Sequence, residues 1–188
     1  MRRPALLLVA ALLALGGCSR AERRSPCQES DTARPVDQPL LAFLSRARAA
    51  HHLADQAEAA RDLPGAVRAL IVVVDGPLPH EEPNAPEVRE VLADTLARIA
   101  DYESQLGDFD AAAGHVARGL ERIPPTPTYF RGHLYEVKGL VEERRADALR
   151  ARGDNAAAEQ AKTKALDALE TAMKIQAEVI EASAPGAH

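Results

Sequence analysis

Tryptophan is absent from the 188-residue chain, and aromatic residues make up only 3% of it. The core must then be built from Ala, Leu and Val, which suit closely packed helices better than a β-sandwich. Positive charge is also in short supply, with 23 Lys and Arg against 28 Asp and Glu and a formal net charge of −5. A general nucleic-acid binder needs a basic surface to neutralise phosphates, so that class is excluded. Motifs for chemistry are missing as well. No glycine-rich phosphate loop follows a strand, no CxxC or HExxH pattern occurs, and no nucleophile motif places Ser, His and Asp together. His51 and His52 are adjacent, so on a helix they point about 100° apart and do not easily share a metal. His80, Glu81 and Glu82 lie in a Pro-rich loop with too few ligands for a metal site, and His115 and His133 have no evident partner. The expectation is no catalytic set, no metal, no cofactor, and a chain that is not an enzyme. What remains, 46% hydrophobic and 27% charged, is the composition of one ordinary folded domain.

Long apolar runs are lacking too. Pro4 to Leu15 falls short of the ~20 residues that span a bilayer core of ~30 Å. With Arg2 and Arg3 before it and Leu15-Gly16-Gly17-Cys18 after it, the run has the layout of a secretory signal. The last four residues resemble the lipobox of bacterial lipoproteins. That resemblance implies cleavage after residue 17, diacylglycerol on the Cys18 thiol and acylation of its new amino group. Two or more acyl chains anchor stably where one is marginal, because each buried CH₂ contributes ~0.8 kcal/mol. Loss of Arg2 and Arg3 would leave the mature chain at about −7. In many such lipoproteins a residue like Ser19 after the cysteine implies export to the outer membrane, facing the periplasm. Residues 18–38 then read as the lipidated cysteine and a flexible tether, polar and carrying two prolines. Cys27 is a passenger in that tether, or a site of pairing between chains.

Residues 39–182 show helical periodicity broken near Arg61-Asp62, at 76–86, at Gly107-Asp108, at 123–128 and at Gly153-Asp154. Six helices are expected. Gly107 and Gly153 suit the left-handed residue that ends a helix. Asp62, Asp108 and Asp154 suit the N-cap of the next one. Asn84 with Glu87 reads as a capping box, and Thr126-Pro127 as N-cap and first turn. The β-branched run Ile71 to Val74 is assigned to a helix, because Ala66, Leu70 and Val73 keep helical spacing. Residues 183–188 are expected to be a disordered tail.

A 46-residue period runs through this region. It relates Ala54, Ala100 and Ala146; Asp55, Asp101 and Asp147; Asp62, Asp108 and Asp154; and Ala66, Ala112 and Ala158. The clearest copy contains Gly107-Asp108-Phe109-Asp110-Ala111-Ala112, with Gly119 and Pro124 downstream. This pattern resembles the tetratricopeptide repeat, whose small residues sit where helices pack closely. The resemblance implies an all-α fold: a short α-solenoid of about three helix-turn-helix units, copies 39–80, 84–125 and 127–182. The period departs from the usual ~34 residues, and the family's Trp and Tyr positions are missing; length alone would favour HEAT-type repeats of ~40–47 residues, and the Gly-Asp-Phe turn and the alanine positions favour the tetratricopeptide reading. In the third copy Asn155 and Lys162 replace Phe109 and Val116, as the polar end of a solenoid requires. On the last helix Leu166, Leu169, Met173, Ala177 and Ile180 form a stripe, part of which is expected to cover the end of the core; for the excess beyond about residue 171 capping is favoured over packing on a second subunit, with a partner as a further alternative.

In that family the first helix of each unit lines a concave surface that accepts a partner. The corresponding faces carry Arg48, His51, Asp55 and Glu58; Asp94, Ala97, Asp101 and Ser104; and Leu140, Glu143, Asp147 and Arg150. Spacings of three and four keep each set on one helical face. The repeated Asp suggests an acidic floor for a basic or helical segment of another envelope protein; the alternative is a solvated polar face. The expected activity is that of a membrane-anchored adaptor or assembly factor. A self-associating scaffold and a small-ligand or metal-binding lipoprotein are the alternatives, and a monomer is favoured over a homo-oligomer.

Overall fold

The expected breaks are realised almost residue for residue. A computed structural model describes residues 37–80 and 83–183, and within them the chain forms six α-helices and no strand. These are α1 (Gln38–Ala59), α2 (Leu63–Val74), α3 (Pro86–Gln105), α4 (Phe109–Arg122), α5 (Tyr129–Ala151) and α6 (Asn155–Ala182). Ile71 to Val74 complete α2, as the spacing of its buried residues requires. Cys18, Cys27 and the 183–188 tail beyond Ser183 lie outside the described residues.

The turn within each pair is built the same way all three times, by a left-handed residue followed by an aspartate. Arg61, Gly107 and Gly153 are left-handed, with φ of 60°, 85° and 83°. Their N–H groups donate to the carbonyls of Glu58, Ser104 and Arg150. The following Asp62, Asp108 and Asp154 donate N–H to Ala57, Glu103 and Leu149, which completes a Schellman closure of the first helix. The same aspartates then cap the second helix, their carboxylates accepting from the N–H of Gly65, Ala111 and Ala157. The two inter-pair joints differ from expectation. α3 starts at Pro86 after Ala85, with no side-chain cap, so Asn84 and Glu87 form no capping box. The N-cap of α5 is Thr128, not Thr126, because the Thr128 hydroxyl is the one that accepts from Arg131 N–H.

The pairs stack in order. α3 packs on α1 and α2, α5 packs on α3 and α4, and α6 packs on α5. The periodic alanines are the contact points: Ala54, Ala66, Ala100, Ala112 and Ala158 are fully buried, and Ala146 nearly so. A small side chain lets neighbouring helix axes approach to the short end of the usual 8–10 Å. Gly119 is the extreme case, since a Cβ there would stand 2.6 Å from Leu134 Cδ2. Leu70, Leu92, Leu96, Ile99 and Leu134 fill the space between, each worth roughly 1.5–3 kcal/mol of burial.

The last helix corrects the sequence reading in part. Its buried face is Ala158, Ala161, Ala165, Ala168, Ala172 and Ile175. Of the expected stripe, Leu166, Met173 and Ile180 are exposed by 53%, 70% and 70%. The cause is in α5. Gly132 and Gly139 carry no Cβ, and α6 closes down on them through Ala172, Ile175 and Leu169. The alanine face fits that close approach, and Leu169 of the expected stripe packs over Gly139, where no Cβ stands in its way. The residues beyond 171 thus pack on the first half of α5, and a row of large apolar side chains is left outside.

Candidate interaction surface

α1, α3 and α5 are neighbours, so the expected site residues can be followed across one row of helices. Most of them fall into three places. Arg48 and His51 of α1 and Asp94 of α3 line an open cleft of about 450 Å³, together with Leu44, Ala47, Glu87, Glu90, Val91 and Phe130. Leu44, Ala47, Val91 and Phe130 make its apolar floor, and Arg48, Glu87, Glu90 and Asp94 its charged rim. Glu58 and Asp101 line a second, smaller recess of about 270 Å³. Glu143, Asp147 and Arg150 lie apart from both, in a groove between α5 and α6. Ala97 and Ser104 are buried where α5 packs on α3 and present little to a partner.

Between α1 and α3 the polar groups are wired to one another, and their protonation follows from the wiring. Thr95 donates its hydroxyl proton to the Val91 carbonyl at 2.6 Å, so toward His51 Nε2, 2.9 Å away, it can only accept. His51 therefore carries its proton on Nε2, and Nδ1 accepts from Arg98 Nη1 at 3.1 Å. Burial lowers the His51 pKa below its ordinary value; Asp94 opposes the shift and Arg98 adds to it. Arg98 also donates to Asp55 at 2.7 Å and to the Tyr102 hydroxyl at 2.6 Å, and Tyr102 donates onward to Glu58 at 2.6 Å. Burial, reinforced by the bond to Glu58, pushes the Tyr102 pKa up to about 12.

The aspartate row is thus an inter-repeat ladder more than a bare acidic floor. Asp55 is held by Arg98 and Asp101 by Arg144, each pair 43 residues apart. Arg144 also donates to Ser104 Oγ at 2.6 Å. Asp147, the third in the row, is bonded by Arg150 of its own helix. Sequence reasoning missed both arginines, although Arg98 and Arg144 keep the same 46-residue period as the aspartates they bind. It also missed Phe130, which no spacing within α1 or α3 could bring to their cleft.

The histidines thought solitary have neighbours. His115 Nδ1 meets a Glu103 carboxylate oxygen at 2.7 Å across the α3–α4 pair, and His133 stacks on Tyr129 with ring centroids 6.0 Å apart. Among the described residues no cluster of three or more metal-capable side chains occurs, and no helix is long and apolar enough to cross a membrane. Compared with known proteins, the chain matches no family model, no curated protein and no solved structure.

Proposed function

We propose that this protein is a lipid-anchored adaptor of the bacterial envelope, tethered through Cys18, whose helical repeats hold a segment of another envelope protein. The observation that carries the reading is the cleft between α1 and α3. It offers an apolar floor of Leu44, Ala47, Val91 and Phe130 with a rim in which Glu87, Glu90 and Asp94 outnumber Arg48. Such a site takes an apolar anchor residue and orients it with a basic flank, the usual division between a buried centre and a polar rim. Asp55 and Asp101 are committed to Arg98 and Arg144, so the charge offered to a ligand is that of Glu87, Glu90 and Asp94. The repeats' likeness to tetratricopeptide units supports the same reading, because those units bind partners through their first helices. The anchor adds effective concentration beside other membrane-bound proteins.

A photo-crosslinking residue at Glu90 in whole cells tests the proposal. One heterologous adduct is expected, lost on Val91→Glu with helicity unchanged. Cys18→Ala should release the chain from the membrane and weaken function while the helical domain stays folded. Adduct formation that is indifferent to Val91→Glu refutes the cleft, and full activity of the released chain refutes a mechanistic role for the anchor.

A further inference from the structure

The groove between α5 and α6 is the next step of the same ladder. Its volume is about 140 Å³; two cations, Arg150 and Lys162, line it, and its other walls are Glu143, Ala146, Asp147, Ala165, Leu166 and Leu169. Moved back by the 46-residue period, these positions are Ala97, Ala100, Asp101, Gly119, Leu120 and Ile123. That earlier surface is covered: α5 lies on it through Leu134, Val137 and Val141, and Arg144 reaches Asp101 at 2.8 Å. One period earlier α3 does the same, with Arg98 on Asp55. At the last copy no following helix is present among the described residues. Leu166 is left 53% exposed, and the Asp147 carboxylate is 71% exposed with only Arg150 and no inter-repeat arginine.

We propose that this groove is a second interaction surface, distinct from the α1–α3 cleft, which accepts an amphipathic helix of a partner protein bearing an arginine for Asp147. Two features fix the occupant's chemistry. Ala165 fills the space that Gly119 leaves for Leu134, so the incoming helix needs a side chain smaller than leucine there. α3 has that pattern, with Val88, Val91, Thr95 and Arg98 at the positions of Leu134, Val137, Val141 and Arg144. Glu143 stands where the second copy has Ala97, but Arg150 and Lys162 line the same groove and balance its two carboxylates, so the match rests on the apolar positions and on Asp147 and not on a net acidic surface. A second copy of this chain is a poor occupant, because α1 offers Ala42, Ser45, Ala49 and His52 at the same positions, without the apolar stripe or the arginine.

The test uses the chain's own helix as a probe. A fluorescent peptide of residues 86–105, held helical by a lactam between Glu90 and an Asp94→Lys substitution, is titrated into the intact protein. Saturable binding is expected. Leu166→Glu should weaken it about tenfold, the loss of one half-buried leucine, and Asp147→Arg about fivefold. Both positions are exposed, so both variants should retain the parent helicity and unfolding midpoint. An Arg98→Glu peptide should bind the Asp147→Arg protein better than the parent, which a merely sticky surface would not reproduce. Absence of saturable binding up to about 1 mM, equal binding by all variants, or a dimer dispersed by Leu166→Glu would each overturn the proposal. None of these variants alters the α1–α3 cleft of the protein, so the two readings fail separately.

Discussion

Replacing Arg61 by glycine should stabilise the protein, although it removes a cation from a chain whose formal net charge is −5. Arg61 ends α1 with φ of 60°, and its period mates Gly107 and Gly153 adopt the same left-handed conformation. For a residue with a Cβ this region costs ~1–2 kcal/mol. Glycine loses ~0.5–1 kcal/mol more backbone entropy on folding, which offsets part of the gain. Arg61 is exposed, so losing its side chain costs little. The net expectation is a gain of about 0.5–1 kcal/mol, or about 1–4 °C in Tm for a domain of this size. Urea unfolding followed by far-UV circular dichroism suits a chain without tryptophan. The midpoint should rise with the slope unchanged, since the surface exposed on unfolding is the same. Gly107→Arg is the mirror experiment and should lower the midpoint by a comparable amount. If Arg61→Gly lowers the midpoint, or Gly107→Arg leaves it unmoved, the three turns do not share one closure and the structural repeat argued from them fails.

Two glycines of α4 should respond with opposite sign. Gly114→Ala meets nothing within 4 Å and should gain about 0.5–1 kcal/mol in the same urea assay, whereas Gly119→Val drives into Leu134 and should lose about 1–3 kcal/mol. His51 has its folded pKa lowered by burial, so its contribution is present above pH 6.5 and is lost as pH falls, when the unfolded chain takes up a proton that the native state resists. The urea midpoint should therefore drop between about pH 7.5 and about pH 5.5, and His51→Gln should flatten that drop. Tyr102 has its pKa raised from 10.0 to about 12, so its contribution is present below pH 10 and is lost as pH rises through about 12; a Tyr102→Phe protein should lack that alkaline component. A double-mutant cycle on Asp101 and Arg144 should give a coupling of about 0.5–1.5 kcal/mol, since the pair is about one-third exposed, and a zero coupling would remove the ladder's energetic meaning.

The sequence by itself determined the helices and their turns, because the signals involved act over a few residues. A left-handed residue stops one helix, an aspartate caps the next, and alanines at helical spacing mark the close-packed face. It determined the helical assignment of Ile71 to Val74 for the same reason. It also placed Arg48, His51 and Asp94 on a common surface, since helical spacing and the repeat period together predict neighbouring first helices.

Tertiary structure decided what lies opposite each face. On α6 two apolar stripes compete, and the alanine stripe is buried because Gly132 and Gly139 of another helix permit close approach. Nothing within α6 specifies that choice. Likewise Asp55 and Asp101 read as acidic from sequence, yet arginines 43 residues away bind them. Charge is a property of the residue, whereas the charge offered to a partner depends on which cation the fold brings within reach.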